Sequence, residues 1–81
     1  MFSDIDRFVK WLRRRNPGAD TAKSYQYHLR KFTEVVGDCT PAHVTLQNID
    51  AFIAFQADRG LKSSSINRSL TAITSFYHFL A

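Results

Sequence analysis

With 81 residues, 44% of them hydrophobic, the chain is long enough for one core and too short for a second domain. Its 11 Lys and Arg against 7 Asp and Glu give a net charge of +4, which favours a polyanionic partner. A single cysteine excludes an internal disulfide, and no apolar run reaches the roughly 20 residues of a membrane span, so we expect a cytoplasmic protein with no membrane partner.

The N-terminal half predicts two helices, because apolar residues recur there at helical spacing between residues that start or stop helices. We expect the first helix over residues 3–15, with Ser3 as its N-cap and the sequence Asn-Pro-Gly at 16–18 ending it. The second is expected over residues 22–36, with Gly37 as its terminator.

The C-terminal half predicts two more helices of the same kind. The third is expected over residues 46–59, capped by Thr45 and closed by Gly60. The fourth begins at Ser63 or Ser64 and has the most regular pattern in the chain. Its predicted core stripe consists of Ile66, Leu70, Ile73, Tyr77 and Leu80, and places Phe76 and Phe79 at or beyond the stripe's edge.

Short connections between these helices favour antiparallel packing of neighbours, so the expected fold is an all-α, compact four-helix bundle formed by residues 1–81 as one domain. Phe, Tyr and Trp supply most of its core. Tyr25 and Tyr77 lie on apolar stripes and are interpreted as core residues rather than catalytic ones.

The face of the fourth helix opposite its apolar stripe is small, polar and cationic. Residues 63–80 contain no Asp or Glu. The face carries Ser64, Arg68, Thr71 and Ser75, flanked by Asn67 and His78. Short hydroxyl side chains let a helix approach a phosphate backbone closely, and an arginine can reach a phosphate or a guanine.

The second helix shows a similar face, with no acidic residue between Asp20 and Glu34. Lys23, Tyr27 and Arg30 are predicted opposite its core, with Gln26 and Lys31 alongside. An exposed tyrosine among basic residues suits contact with sugars or base edges, and stacking on unpaired bases is equally open. A merely solvated polar face is the alternative interpretation of both helices.

The pattern over most of the chain resembles the N-terminal core-binding domain of tyrosine recombinases, the phage integrase family, which has a SAM-like helical fold. The resemblance is carried by Thr21-x3-Tyr25-x3-Leu29-x2-Phe32, Ile49-x2-Phe52, and Ser65-Ile66-Asn67-Arg68-x-Leu70-x2-Ile73-x2-Phe76-Tyr77-x-Phe79-Leu80. It implies a clamp in which this domain covers one face of double-stranded DNA, with the second and fourth helices on the major groove. It further implies as partners a catalytic domain of the same chain and other recombinase subunits.

The resemblance places a set of residues nearest to DNA, with a second group beside them. The first set is Thr21, Lys23, Ser24, Ser64, Ser65, Arg68 and Thr71, and the second is Tyr27, Arg30, Lys31, Lys62 and Asn67. The family's catalytic Arg, Lys, His and Tyr would follow Ala81, so we expect this chain to be a fragment of a longer recombinase and not itself an enzyme.

Two other kinds of function are consistent with this sequence. The first alternative is a protein-interaction domain that docks a partner on an aromatic edge formed by Trp11, Phe55, Phe76 and Phe79. The second is an RNA-binding or membrane-surface domain, which would need a basic patch too. Cys39 and His43 are too few ligands for zinc, and no phosphate-binding glycine motif is present, so we expect neither metal nor cofactor.

Overall fold

The computed structural model describes residues 1–17 and 20–81, and within these residues the fold is all-α, as predicted. The elements in chain order are α1 (Phe2–Arg15), α2 (Thr21–Val36), a short 3-10 turn (Pro41–His43), α3 (Leu46–Asp58) and α4 (Ser63–Leu80). The predicted helices match α1 to α4 to within one residue at each end. Gly18, predicted as part of the stop after the first helix, lies outside the described residues.

The helix ends follow the local sequence in most places. Thr45 caps α3 as predicted: its Oγ1 accepts a hydrogen bond from the backbone N–H of Asn48, and its own N–H donates to Asn48 Oδ1 at 2.8 Å. Gly37 ends α2 with a φ of +94°. The expectation that Ser3 caps α1 was wrong, because the helix begins at Phe2 with Met1 in the cap position, so Ser3 lies inside the first turn.

The core is built from phenylalanines contributed by all four helices. Phe8, Phe32, Phe52 and Phe76 are all fully buried. Phe32 of α2 and Phe52 of α3 pack edge to face with ring centroids 5.2 Å apart, and Phe8 of α1 lies 5.6 Å from Phe76 of α4. Helices α2 and α4 each contact all three other helices, so both have a central position in the bundle.

The buried side of α4 differs from the predicted stripe. Ser69, Ala72, Ile73 and Phe76 are buried, whereas Ile66, Leu70, Tyr77 and Leu80 are only half-buried. Phe76 and Phe79, placed at or beyond the stripe's edge, were expected to pack on the first helix or to be left partly bare; Phe76 is completely enclosed and packs on Phe8 of α1. The physical reason is that small side chains such as Ser69 allow close approach to α2, so packing selects them over a bulkier neighbouring stripe.

The two tyrosines predicted as core residues lie at its margin. Tyr25 and Tyr77 are half-buried and pack against the core cluster. The hydroxyl of Tyr77 donates a 2.7 Å hydrogen bond to the carbonyl oxygen of Pro41, which ties α4 to the turn after α2. Across residues 1–17 and 20–81, no helix combines the length and the apolar character needed to cross a bilayer.

Candidate nucleic-acid interface

A polar groove runs between the N-terminal parts of α2 and α4. It has a volume of about 470 Å³. It is lined by Asp20, Thr21, Ser24, Tyr25, Asn67, Arg68 and Thr71, and is called here the α2–α4 groove. Five of these residues, Thr21, Ser24, Asn67, Arg68 and Thr71, were predicted as DNA contacts from the sequence. The fold therefore brings together residues that lie more than forty positions apart.

A chain of polar side chains, centred on the buried Ser69, joins α2, α3 and α4. Gln56 Nε2 of α3 donates a 2.9 Å hydrogen bond to Ser69 Oγ of α4. The same oxygen lies 3.0 Å from Nδ1 of His28 on α2 and 3.3 Å from the carbonyl oxygen of Ser65. Because Ser69 is fully buried, these contacts fix which turn of α4 faces α2.

The environment of His28 favours its neutral form. Burial lowers the pKa of His28 below its ordinary value, and the positive charge of Arg68 lowers that pKa further. The guanidinium of Arg68 is exposed at the groove beside this uncharged ring. Arg68 is therefore the cation that the groove lining presents to a ligand.

Four further predicted contacts flank the groove without lining it. Lys23 is exposed on the first turn of α2. At the other helix, Lys62 occupies the cap position of α4, and Ser64 and Ser65 lie in its first turn, with no side chain capping that end. The free backbone N–H groups and the positive end of the helix dipole make this end attractive to anions.

Three predicted contacts point elsewhere. Arg30 faces α1, where its guanidinium lies 3.7 Å from Asp6 Oδ1 and 6.0 Å from the ring of Phe2. Lys31 Nζ lies 3.5 Å from Glu34 Oε2 and 5.9 Å from the ring of Tyr27. Both Tyr27 and Lys31 line a second depression, between α2 and α3, which is called here the α2–α3 groove.

The sequence analysis gave no site role to Asp20 or Arg59, and it named Phe55 only in the aromatic edge of the alternative interpretation. Asp20 lines the α2–α4 groove because it occupies the cap position of α2, immediately before Thr21. Phe55, near the end of α3, and Arg59, the residue that follows α3, line the α2–α3 groove at i, i+4 spacing. That spacing is visible in the sequence, but the contact with α2 is not.

The aromatic residues of the alternative interpretation do not form one edge. Phe76 is buried, and Phe55 lies on the α2–α3 groove. Trp11 and Phe79 do meet, with ring centroids 5.3 Å apart, and the Trp11 side chain is 38% exposed. A smaller aromatic surface therefore exists where α1 and the end of α4 adjoin.

The structure is a small four-helix domain with an open groove between α2 and α4. Residues 5–81 match the family described as the phage integrase N-terminal SAM-like domain. The chain belongs to this family, which forms the N-terminal part of integrases of the tyrosine recombinase class, so the predicted resemblance is confirmed. Comparison with curated proteins and with solved structures gave no match.

Proposed function

We propose that this domain binds double-stranded DNA through the α2–α4 groove and the two helix ends beside it. The observation that carries the proposal is that the acid-poor faces of two helices, separated in sequence, adjoin in the fold and share one groove, into which Arg68 is placed among short polar side chains. Net charge alone would not localise a polyanion, whereas a shared groove offers it a surface.

Different residues of the groove and its flanks contact different parts of the DNA in this proposal. Arg68 contacts a phosphate or a guanine edge, and Lys23 and Lys62 contact phosphates on either side. The short side chains of Ser24, Asn67 and Thr71 let the duplex approach, and Ser24 and Asn67 donate hydrogen bonds to it, while the Thr71 hydroxyl already donates to the Asn67 carbonyl oxygen. The first turn of α4, with Ser64 and Ser65, receives a phosphate at its dipole end.

Asp20 places a negative charge at the α2 end of the groove. Its carboxylate would repel a phosphate at the α2 end, so the DNA backbone would be held toward Arg68 and the N-terminus of α4. Recognition in this arrangement rests mainly on the backbone and on groove shape. The remaining affinity would come from a catalytic domain in the same longer chain, because tethering raises the effective concentration of each domain.

The salt dependence of duplex binding tests this proposal. With four to six phosphates contacted, we expect a dissociation constant of about 10⁻⁴ to 10⁻⁶ M and a log–log salt slope of about −4 to −5. Arg68→Ala and Lys23→Ala should each flatten the slope by about one unit. Lys10→Ala, an exposed cation on α1, removes the same charge and should leave the slope unchanged. Equal slopes for all three variants and the unmodified protein would refute the proposed surface.

A second function is favoured by the contact between Trp11 and Phe79. Phe8, Trp11, Leu12 and Phe79 line an apolar depression that a partner's side chain could occupy. Such docking predicts association that rises with protein concentration and does not weaken with salt. Sedimentation velocity at low and high salt, for the unmodified protein and for Trp11→Ala, distinguishes it from DNA binding.

A further inference from the structure

The α2–α3 groove combines aromatic rings with cations in a small volume. The volume is about 160 Å³. Its lining consists of Tyr27, His28, Lys31, Phe52, Phe55, Gln56, Arg59 and Leu61. This lining contains no acidic residue, so its formal charges are all positive. A volume of this size accommodates one planar ring system and is too small for a docked helix.

Two of the aromatic rings are unusually open to solvent, and each has a cation near it. The side chain of Tyr27 is 60% exposed and that of Phe55 is 42% exposed. The guanidinium carbon of Arg59, the residue that follows α3, lies 5.5 Å from the centroid of the Phe55 ring, and Lys31 Nζ lies 5.9 Å from that of Tyr27. Rings of this kind offer stacking surfaces, while neighbouring cations suit the phosphates of a nucleotide.

Gln56 adds a hydrogen-bonding group to this lining. Its Nε2 donates a hydrogen bond to Ser69 Oγ. The Ser69 hydroxyl can in turn donate to the Ser65 carbonyl oxygen or to Nδ1 of His28. Gln56 Oε1 is buried and has no hydrogen-bond partner among the residues that the structure describes. A buried unpaired acceptor is costly, so the Gln56 side chain is the least satisfied polar group of the lining and should respond to a ligand packed against it.

We propose that the α2–α3 groove binds one unpaired nucleotide of a DNA strand. The base stacks against Phe55 and Tyr27, and its phosphate lies near Arg59 and Lys31. An acidic peptide would satisfy the two cations but would leave the stacking surfaces without a matched group. This site lies on the other side of His28 from the α2–α4 groove and does not depend on duplex binding there.

The test compares three duplexes of one sequence: fully paired, with one extrahelical dA, and with one extrahelical abasic nucleotide. Binding is measured by fluorescence anisotropy at fixed salt. We expect the dA bulge to bind about tenfold more tightly than the abasic bulge, in line with the stacking contribution of one base. The side-chain amide resonances of Gln56 should shift with the dA bulge and not with the abasic one.

Three variants make the test specific to this groove. Phe55→Leu keeps apolar bulk and removes the stacking face, and Arg59→Gln removes the cation; each should abolish most of the preference for dA. Phe2→Ala is the matched control, since Phe2 is 39% exposed and also lies near an arginine, but on α1. It should keep the full preference. Thermal melting of each variant checks that it is folded.

The outcomes separate this inference from duplex binding. If the dA and abasic bulges bind equally, or if Phe55→Leu retains the preference for dA, the inference is overturned. If an acidic, aromatic peptide shifts the Gln56 resonances and the dA bulge does not, the groove is a peptide site and the inference fails. If the dA bulge binds through Phe55 while Arg68→Ala leaves the salt slope of paired duplex unchanged, the inference stands and the proposed duplex surface fails.

Discussion

Removing the Ser69 hydroxyl should destabilise the domain more than the loss of so small a group would suggest. Ser69→Ala deletes the acceptor for Gln56 Nε2 and the contact with His28, and leaves both ends of the Gln56 amide unpaired. Leaving a buried polar group unsatisfied costs about 1–3 kcal/mol. Alanine is the better helix former by roughly 0.5 kcal/mol. We therefore expect a net loss of about 1.5 kcal/mol, or a fall in Tm of about 6–12 °C for a domain of this size.

Thermal unfolding followed by circular dichroism measures this loss, and the same helix supplies a matched control. Thr74 Oγ1 donates to the carbonyl four residues earlier, as Ser69 Oγ does, but Thr74 is exposed. Thr74→Ala should leave Tm unchanged or slightly raised, because its polar partners remain hydrated. Adding Gln56→Leu to Ser69→Ala should recover much of the loss. A Tm for Ser69→Ala equal to or above that of the unmodified protein would refute the argument.

Three other predictions concern the parts that position the grooves. Because the pKa of His28 is lowered in the fold, the unfolded chain binds more protons than the folded one as pH falls through about 6.5. The free energy of unfolding measured with urea should therefore decrease from about pH 7.5 to 5.5, and His28→Gln should make that decrease smaller. Thr45→Ala loses the cap of α3 and should lower the free energy of unfolding by about 1 kcal/mol, whereas Gln47→Ala should not. Phe52→Ala should cost about 3–5 kcal/mol and abolish cooperative unfolding in circular dichroism; a sharp transition near the original Tm would contradict the core described above.

The helices could be predicted from the sequence because their signals are local. Apolar spacing, Thr45 before α3 and Gly37 after α2 act within a few residues of the boundary they define. The rotation of α4 could not be predicted in the same way. Nothing in the local sequence marks Ser69 as buried, and its polar partners, His28 and Gln56, come from two other helices.

The candidate site could be predicted in part, for the residues of α2 and α4 that line the groove between these two helices. Thr21, Ser24 and Arg68 reach one groove because α2 and α4 adjoin. Short connections favour a compact bundle, but they do not fix which non-consecutive helices are in contact. Tyr27, Arg30 and Lys31 look like one basic face on a single helix. In the fold they separate, because residues on a helix that contacts three neighbours lie in different gaps between those neighbours.

The central position of α2 explains why one helix serves two proposed sites. Its residues 21 and 24 lie toward α4, its residues 27 and 31 lie toward α3, and His28 lies between them, in contact with Ser69 and in the lining of the second groove. His28 lines only the second groove, while Arg68 lines only the first. Burial lowers the pKa of His28, and the charge of Arg68 lowers it further, so a phosphate that neutralises Arg68 would remove the smaller of the two effects and raise this pKa. Occupancy of the first groove would thus ease protonation of a residue that lines the second.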